Sequence, residues 1–483
     1  MNEYDLLQYK SYPFAHATAA NMFALAKFLG HNSPDFKTAR VLEVGCASGG
    51  NIISQAYDYP DSTFCGIDYS KTQIEDGRKT LAKLKLDNIE LLYQSISEFK
   101  AADLEFDYII CHGVFSWVDE ATQHDLLKLC QKKLSKNGIV YISYNTKPGW
   151  NAVQTVRDMM RFHSRKEVSP QSRIESSRKF LNQIERLNRG KQNAYSQFLK
   201  EELIKVSKSE DYYFYHEYLE KDNTAFYFKD LVEKVNSFGF DYLSETELKT
   251  SYMGSYPKDV QDSFKGITDK IELEQSLDYV RNRRFRSSLF IKSKNALNIM
   301  KKPNRMEEFY FTTKLKMERS EKGLIFTMGN VTIANAPKTT NEALAILVKR
   351  FQKPLFFGQW VTMVSEKLGK DKVSVSEFII KEMNLERLIN LGIVGLHSDE
   401  KLATLDIQNK PKGYEVARQL AMTSKKVTNA YHQVVELSEK DRQFFSCLEG
   451  VKTQDELVSA DYSSQYISRC LIRLSKSGLL ELS

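Results

Sequence analysis

Short apolar runs and longer amphipathic stretches alternate along the first 150 residues. The apolar runs predict five β-strands at 40–44, 63–67, 89–93, 106–111 and 139–144. Between them, apolar positions three and four residues apart predict helices at 17–29, up to residue 55, at 70–84, and from residue 119 to a stop at 137–138. Strands that alternate with helices predict a parallel, doubly wound α/β sheet.

The pattern changes over 151–224, which is helical, polar and poor in glycine and proline. A helix at 226–238 and two strands, at 240–243 and 285–291, follow and bring the predicted strands to seven. We therefore expect one core made of residues 1–150 and 225–296. The helical insertion at 151–224 interrupts this core and is a candidate regulatory or dimerisation element.

The last third of the chain contains two similar patterns. The first has a hairpin at 309–317 and 324–333, helices at 341–351, 358–368 and 376–391, and short strands at 392–396 and 403–405. The second has helices at 439–448, 454–459 and 463–477 and a strand at 478–482. Both end in a helix, a glycine and a short strand, which predicts winged-helix-like units: a middle domain at 297–405 and a C-terminal domain at 406–483.

Composition narrows the functional classes only slightly. The net charge of +7, from 69 basic and 62 acidic residues, permits an acidic partner without requiring one. No apolar run approaches the roughly 20 residues needed to cross a bilayer, so we expect a cytoplasmic protein without membrane insertion. The six cysteines form no C-x-x-C pair and the eight histidines no ligand spacing, so no metal is expected.

A glycine-rich turn, Glu43–Gly49 (EVGCASG), lies between the first strand and the next helix. Glycine lets the backbone approach a ligand closely. The Glu43 carboxylate on the strand suits an ammonium group and would repel a pyrophosphate. Asp68 ends the next strand, 23 positions after Gly45, where a carboxylate can bind both ribose hydroxyls. Together they favour S-adenosylmethionine over a dinucleotide; an ordinary α/β turn with a surface aspartate is the alternative.

Residues 40–150 resemble the class I methyltransferase core, a Rossmann-like seven-stranded sheet. Ala47 replaces a common glycine of its first motif. Ser95 stands where this fold often has an acid beside the adenine, and Tyr69 is placed to pack on that ring. The resemblance and the turn imply these cofactor-binding residues: Tyr12, Phe14, Glu43, Gly45, Ala47, Ser48, Gly49, Asn51, Asp68, Tyr69, Ser95, Ile96 and His112.

More of the chain is similar to a bacterial family that carries a methyltransferase regulatory domain and includes the rickettsial protein-lysine methyltransferases of outer-membrane proteins. The matching segments are 11–14 (SYPF), 45–51 (GCASGGN), 112–117 (HGVFSW), 143–146 (SYNT), 148–150 (PGW), 216–220 (HEYLE) and 281–286 (RNRRFR). The resemblance implies an S-adenosylmethionine-dependent enzyme that methylates lysine in an extended or unfolded protein and forms a homodimer.

Lysine methylation requires a neutral amine held in line with the methyl group. An aromatic slot favours the neutral amine and attracts the cationic groups. On this basis the candidate catalytic residues are Tyr144, Asn145, His112 and Trp117, and the candidate substrate-binding residues are Phe115 and Trp150. The resemblance to the family implies that His216 and Glu217 also face the substrate. Each also has a structural alternative, as a core aromatic, a turn residue or a hydrogen-bonding partner.

Other functions compete with this interpretation. The basic run of Arg281, Arg283, Arg284 and Arg286 fits a nucleic-acid patch, although a solvated turn that pairs with Glu274 and Asp278 is favoured. The segment after the fourth strand lacks the Pro-Pro-aromatic stretch of common base methyltransferases, so nucleic acid is a less favoured partner. A small-molecule methyltransferase and a non-catalytic regulatory protein that binds S-adenosylmethionine stay open.

Overall fold

The structure is a computed structural model that describes residues 7–99, 104–296, 306–321 and 323–482. Its centre is a seven-stranded sheet in the order β3-β2-β1-β4-β5-β7-β6, in which only β7 runs antiparallel to its neighbours. This confirms the predicted Rossmann-like fold. The strands are β1 (Arg40–Val44), β2 (Thr63–Asp68), β3 (Ile89–Tyr93), β4 (Phe106–Cys111), β5 (Leu134–Asn145), β6 (Phe240–Glu245) and β7 (Phe285–Lys292).

The helices that flank the first five strands begin and end close to their predicted positions. They are α1 (Ala19–Phe28), α2 (Ile53–Asp58), α3 (Lys71–Leu84) and α4 (Glu120–Lys133). Ser70 caps α3 as predicted, through its side chain and the Gln73 N–H. The predicted helix stop at 137–138 is wrong, because the chain becomes strand at Leu134, which is fully buried and pairs with Phe106 of β4.

Four helices form the insertion: α5 (Trp150–His163), α6 (Pro170–Asn188), α7 (Ala194–Ser207) and α8 (Asp211–Tyr218). The chain returns to the sheet through α9 (Phe228–Asn236), and α10 (Lys258–Ser263) and α11 (Lys270–Arg281) lie between β6 and β7. Arg284, just before β7, binds the buried Glu202 of α7, with Nη1 at 2.7 Å from Oε2. This ion pair ties the insertion to the edge of the sheet.

The last third of the chain differs from its predicted pattern. The strand predicted at 309–317 divides into two, Tyr310–Thr313 and Lys316–Ser320, which belong to separate three-stranded sheets. The helix predicted at 376–391 is broken where Asn384 takes a left-handed backbone (φ 52°). The two strands of the predicted first wing do not pair with each other. The strand Val394–His397 pairs with Tyr310–Thr313, and Ala403 forms an isolated bridge with Glu481. Residues 454–459 are not helical.

The observed strands of this region are β8 (Tyr310–Thr313), β9 (Lys316–Ser320), β10 (Gly323–Met328), β11 (Val331–Ile333), β12 (Leu355–Phe356), β13 (Val394–His397), β14 (Lys412–Gly413), β15 (Lys426–Thr428), β16 (Val434–Glu436) and β17 (Leu480–Glu481). The helices are α12 (Ser293–Ala296), α13 (Lys338–Lys349), α14 (Phe357–Leu368), α15 (Lys372–Glu377), a π-helical turn (Phe378–Glu382), α16 (Leu385–Asn390), α17 (Glu415–Ala421), α18 (Glu439–Ser446) and α19 (Ser464–Lys476). Their assignment as winged-helix units stays a prediction.

The C-terminal part packs directly on the sheet. One continuous apolar core contains residues of the seven-stranded fold, such as Val41 and Ile53, together with Tyr414, Phe445 and Leu479. The predicted domain boundaries stay predictions, and the one at 296/297 lies beside residues 297–305, which are outside the described residues. No helix in the described ranges is long and apolar enough to cross a membrane.

Candidate active site

The glycine-rich turn after β1 has a tightly constrained backbone. Gly45, Ala47 and Gly49 all have positive φ, at 73°, 50° and 80°. A side chain on Gly45 would lie 2.3 Å from a methyl group of Val114, so only glycine fits there. Ala47 keeps the same conformation at a steric cost, and its N–H donates to Oδ2 of Asp68 at 2.8 Å. The predicted ribose-binding acid therefore also holds the turn in shape.

Glu43 is buried at the end of β1, with only 3% of its surface exposed. Its Oε1 accepts a hydrogen bond from Nδ2 of Asn51 at 2.7 Å, while Oε2 has no partner among the described residues. Burial, only partly opposed by the Asn51 bond, raises the pKa of Glu43 to about 8. A buried carboxylate oxygen without a donor is costly, and the ammonium group of S-adenosylmethionine would satisfy it.

The expected ribose and adenine side of the site lies at the end of β2. Oδ1 of Asp68 accepts the Ser70 N–H at 2.8 Å, and the ring of Tyr69 is 59% exposed beside Tyr93. An exposed ring in this position could stack on an adenine base.

Glu98 also lies in this region and was not among the residues predicted from the sequence. Its carboxylate accepts the hydroxyl of Ser95 at 2.6 Å and the Ser95 N–H at 3.2 Å. An acid thus lies beside Ser95 after all, while the half-buried Ile96 packs against the core. The serine-x-x-glutamate spacing of a capping box was the available sequence signal.

His112 follows β4 and is enclosed by aromatic rings. The Phe14 ring centroid lies 3.7 Å from that of His112, and Nδ1 of His112 lies 2.7 Å from the Tyr141 hydroxyl. Tyr141 donates to Ser287, so Nδ1 is the donor to Tyr141 and Nε2 is the ring's acceptor. Burial, assisted by His16, lowers the pKa of His112 to about 3. An uncharged imidazole this weakly basic fits cofactor contact better than general-base catalysis.

Two serines connect the ends of β4 and β5, where ligands of open α/β sheets bind. The Gly113 N–H donates to Oγ of Ser143 at 2.8 Å, and the Asn145 N–H donates to Oγ of Ser116 at 2.9 Å. Nδ2 of Asn145 is buried without a hydrogen-bond partner in the described part of the chain. Asn145 therefore lies at the strand edge with a donor still to be satisfied.

Two predicted site residues lie elsewhere. Successive side chains of a strand point to opposite faces, so Tyr144 points away from Tyr141 and His112. Tyr144 packs in the core on the opposite face, and its hydroxyl bonds Oγ of Ser288 at 3.1 Å. Phe115 is fully buried in that same core. The structure therefore corrects the placement expected for both residues: it brings neither side chain to the strand edge.

An aromatic and charged cluster, here called the tryptophan cluster, lies beside the same strand ends. It contains Trp117, Trp150, Arg157 and Glu217. The two indole rings are 6.1 Å apart and nearly perpendicular, and the Arg157 guanidinium lies 5.2 Å from the Trp117 ring. Arg157, which the sequence analysis missed, is fully buried and donates to the backbone carbonyls of Glu217 and Glu220. Its charge thus stabilises the C-terminal end of α8.

Glu217 itself carries a perturbed carboxyl group. Burial raises its pKa to about 7, opposed by the charge of Arg157 and a hydrogen bond with Tyr213. Its neighbour His216 is differently placed: its ring bonds Oε1 of Glu220 at 2.8 Å and the Leu7 carbonyl at 2.5 Å. His216 therefore joins α8 to the N-terminal segment, and Glu217 is the titratable group of the tryptophan cluster.

The N-terminal segment, residues 7–14, runs from α8 to the glycine-rich turn. Tyr9 packs against His216, and Oγ of Ser11 accepts the Gly50 N–H at 2.7 Å. The Phe14 N–H donates to Oδ1 of Asn51 at 2.9 Å. Tyr12 lies between Tyr212 of the insertion and Lys426 of β15. The segment thus connects the expected cofactor site to the tryptophan cluster.

In the basic run at the start of β7, Arg286 is buried, Arg283 and Arg284 are partly buried, and Arg281 is exposed. Arg286 is 1% exposed and binds Glu245, Glu274 and Asp278 at 2.8–3.0 Å. Arg283 binds Glu245 at 2.7 Å. The expected pairing with Glu274 and Asp278 is therefore present, but the expected solvent exposure is wrong for these two arginines. No group of histidine, cysteine or acidic residues in the described ranges could hold a metal ion.

Comparison with known proteins supports the assignment of this chain as a methyltransferase. A family model described as a methyltransferase domain matches residues 35–217, and one described as a predicted methyltransferase regulatory domain matches residues 210–292. The uncharacterized protein RP789 of Rickettsia prowazekii is 31% identical over 99% of this chain and 88% of its own length. A second protein of that organism, RP028, is 39% identical over 50% of this chain and 96% of its own.

Solved structures extend the similarity to the whole fold. PKMT2 from Rickettsia typhi is 28% identical, with a TM-score of 0.84 over 98% of this chain and 99% of its own. Its complex with AdoHcy, the product that remains after methyl transfer from S-adenosylmethionine, is similar at 26% identity and a TM-score of 0.85, over the same shares. The chain belongs to the S-adenosylmethionine-dependent methyltransferases that carry a methyltransferase regulatory domain.

Proposed function

We propose that this methyltransferase modifies the ε-amino group of lysine side chains in proteins. The observation that carries the proposal is the tryptophan cluster at the ends of β4 and β5. Trp117 and Trp150 follow these two neighbouring strands, and the Arg157 guanidinium beside the Trp117 ring also interacts electrostatically with the Glu217 carboxyl group. Aromatic faces and one carboxylate suit a long side chain that ends in a cation. The resemblance to rickettsial protein-lysine methyltransferases supports the same substrate.

The chemistry requires the lysine to lose a proton before it reacts. An ammonium group with an ordinary pKa near 10.4 is bound as a cation by ionised Glu217 and the aromatic rings. Desolvation then favours the neutral amine, and Glu217 is our candidate for the group that accepts the released proton and passes it to solvent. S-adenosylmethionine supplies an electrophilic methyl group. The amine nitrogen forms the new bond to that carbon as the carbon–sulfur bond breaks, with Asn145 as the candidate amide that orients the amine.

The substrate protein is expected to be extended or unfolded, and bacterial outer-membrane or other surface proteins are the target class that the resemblance implies. A cytoplasmic location and a homodimer belong to the same proposal. Nucleic acid is disfavoured as a substrate because Arg283, Arg284 and Arg286 are engaged in ion pairs rather than exposed in a patch.

A matched pair of peptides tests the proposal. An unstructured peptide with several lysines and the same peptide with every lysine replaced by arginine are incubated with enzyme and methyl-labelled cofactor. Free lysine and a mixed transfer RNA sample are the other arms. We expect label only in the lysine peptide, and loss of most labelling in Glu217→Gln but not in Glu201→Gln, an exposed change on α7. Equal labelling of the arginine peptide, or labelling of RNA alone, would contradict the proposal.

A further inference from the structure

A single histidine from the C-terminal part of the chain reaches the cofactor side of the sheet. His432 lies in the loop between β15 and β16 and is 7% exposed. Its Nε2 lies 2.9 Å from Oδ1 of Asn51, and its Nδ1 lies 2.9 Å from Oγ of Ser54. Both partners are buried and flank the start of α2, directly after the glycine-rich turn.

The direction of these hydrogen bonds follows from the groups that surround Asn51. The Phe14 N–H can only donate, so the atom of Asn51 that faces it is the amide oxygen. The amide nitrogen therefore faces Glu43, to which it donates at 2.7 Å. Nε2 of His432 must then be a donor to the same Asn51 oxygen, and Nδ1 accepts the hydroxyl proton of Ser54. Burial lowers the pKa of His432 to about 3, so this neutral form persists at physiological pH.

The loop that presents His432 is held in a costly conformation. His432 has a left-handed backbone (φ 58°), which is uncommon for a residue other than glycine. Asn429 fixes the loop from within, because its Oδ1 accepts the N–H groups of Tyr431 and Gln433. Its Nδ2 donates to the carbonyl of Ser477 at the end of α19. Strain that the surroundings maintain often accompanies a functional role.

We propose that His432 is a positioning residue for cofactor binding. Through His432 the C-terminal part of the chain holds the Asn51 amide in place, and Asn51 in turn orients the Glu43 carboxylate toward the cofactor's ammonium group. Glu43 leaves one buried oxygen without a partner, and Asn51 holds the other. Without the His432 donor, the Asn51 amide keeps fewer restraints and can turn away from Glu43. The inference concerns cofactor affinity and holds whatever substrate the enzyme methylates.

Two substitutions at this position separate positioning from general packing. His432→Gln places an amide nitrogen near the position of Nε2, so it keeps the donor to Asn51 and loses the contact with Ser54. His432→Asn tolerates the left-handed backbone and reaches only as far as Nδ1, so it keeps the Ser54 contact and loses the donor to Asn51. Tyr414→Phe is the matched control, because it removes another bond of the same interface, the one to Asp58 at 2.8 Å, without touching Asn51.

The experiment is titration calorimetry of the full-length variants with two ligands. S-adenosylhomocysteine carries the amino-acid group, and 5′-methylthioadenosine lacks it. We expect His432→Asn to weaken S-adenosylhomocysteine binding about tenfold, or ~1.4 kcal/mol, and to leave 5′-methylthioadenosine binding unchanged. His432→Gln and Tyr414→Phe should bind both ligands like the unmodified protein.

Three results would overturn the proposal. One is unchanged S-adenosylhomocysteine affinity in His432→Asn, and another is an equal loss for both ligands, which indicates general damage to the site. The third result is measured on His432→Gln, so it can be obtained even if the thermal midpoint of His432→Asn shows that this variant does not fold. A tenfold loss of S-adenosylhomocysteine affinity in His432→Gln would show that the Nε2 donor does not determine binding.

Discussion

Replacement of Glu43 by glutamine tests two effects of the buried carboxylate separately: its cost to folding stability and its contribution to cofactor binding. Glutamine keeps an oxygen that can accept the Asn51 amide bond, and it removes the ionisable group. The native side chain is 3% exposed, and one of its oxygens has no hydrogen-bond partner in the described part of the chain. We therefore expect Glu43→Gln to stabilise the ligand-free protein at neutral pH and to weaken cofactor binding.

The magnitude follows from the pKa of Glu43, which burial raises to about 8 in the folded chain from an ordinary value near 4.3. Between these values the folded state keeps a proton that the unfolded state has lost, so stability falls as the pH rises and becomes level above about 8. The loss is at most about 1.4 kcal/mol per pH unit. From pH 5.5 to 7.5, Glu43→Gln should therefore gain roughly 2–3 kcal/mol over the native protein, or roughly 2–3 °C in the thermal midpoint of a chain of 483 residues.

The assay records thermal midpoints of both proteins without ligand at pH 5.5, 6.5, 7.5 and 8.5. The advantage of Glu43→Gln should grow with pH up to about 8, while its affinity for S-adenosylhomocysteine falls by roughly 2–3 kcal/mol because an ionic hydrogen bond is lost. Parallel pH profiles of the two proteins would refute the reasoning, because they would mean that Glu43 ionises at its ordinary pKa in the fold.

Three further substitutions test the ribose contact, the substrate carboxylate and the buried ion pairs. Asp68→Ala should weaken S-adenosylhomocysteine binding by about 1–3 kcal/mol in calorimetry, and unchanged affinity would place the ribose elsewhere. Because the pKa of Glu217 is raised to about 7, the ionised fraction of its carboxyl group increases as the pH rises through 7. The kcat/KM for a lysine peptide should therefore rise with pH in the native enzyme and rise less in Glu217→Gln. Identical pH profiles of the two enzymes would show that Glu217 does not act in the substrate site. Arg286→Met leaves Glu245 and Asp278 buried without their main cation and should destabilise the fold by about 3–5 kcal/mol, measured by denaturation; an unchanged midpoint would contradict this.

The catalytic sheet could be predicted because its signals are local. Each of the first five strands is a short apolar run, and Ser70 caps α3 through a neighbouring N–H group. The C-terminal third was harder, because its pairing is long-range: β8 lies between β12 and β13, and Ala403 bridges Glu481. Asn384 breaks a helix through its left-handed backbone, a choice that the local sequence does not reveal.

In the candidate site, too, features set by local sequence could be predicted and features set by distant residues could not. The turn from Glu43 to Gly49 and Asp68 lie together because β1 and β2 are adjacent strands, which the α/β pattern implies. Tyr144 was misplaced because the pattern located the end of β5 without fixing which residues face the cofactor. Arg157 and His432 could not be identified, because each acts through partners distant in sequence: Arg157 on the end of α8, and His432 on Asn51, 381 positions away.

The central claim is that the turn at Glu43 and the tryptophan cluster together make a lysine methyltransferase. The most direct test is mass spectrometry of an unfolded bacterial outer-membrane protein after incubation with the enzyme and deuteromethyl-labelled S-adenosylmethionine. We expect labelled methyl groups on lysine nitrogens, and far fewer of them when Glu43→Gln replaces the native enzyme at low cofactor concentration. Label confined to other residue types, or equal lysine labelling by Glu43→Gln, would contradict it.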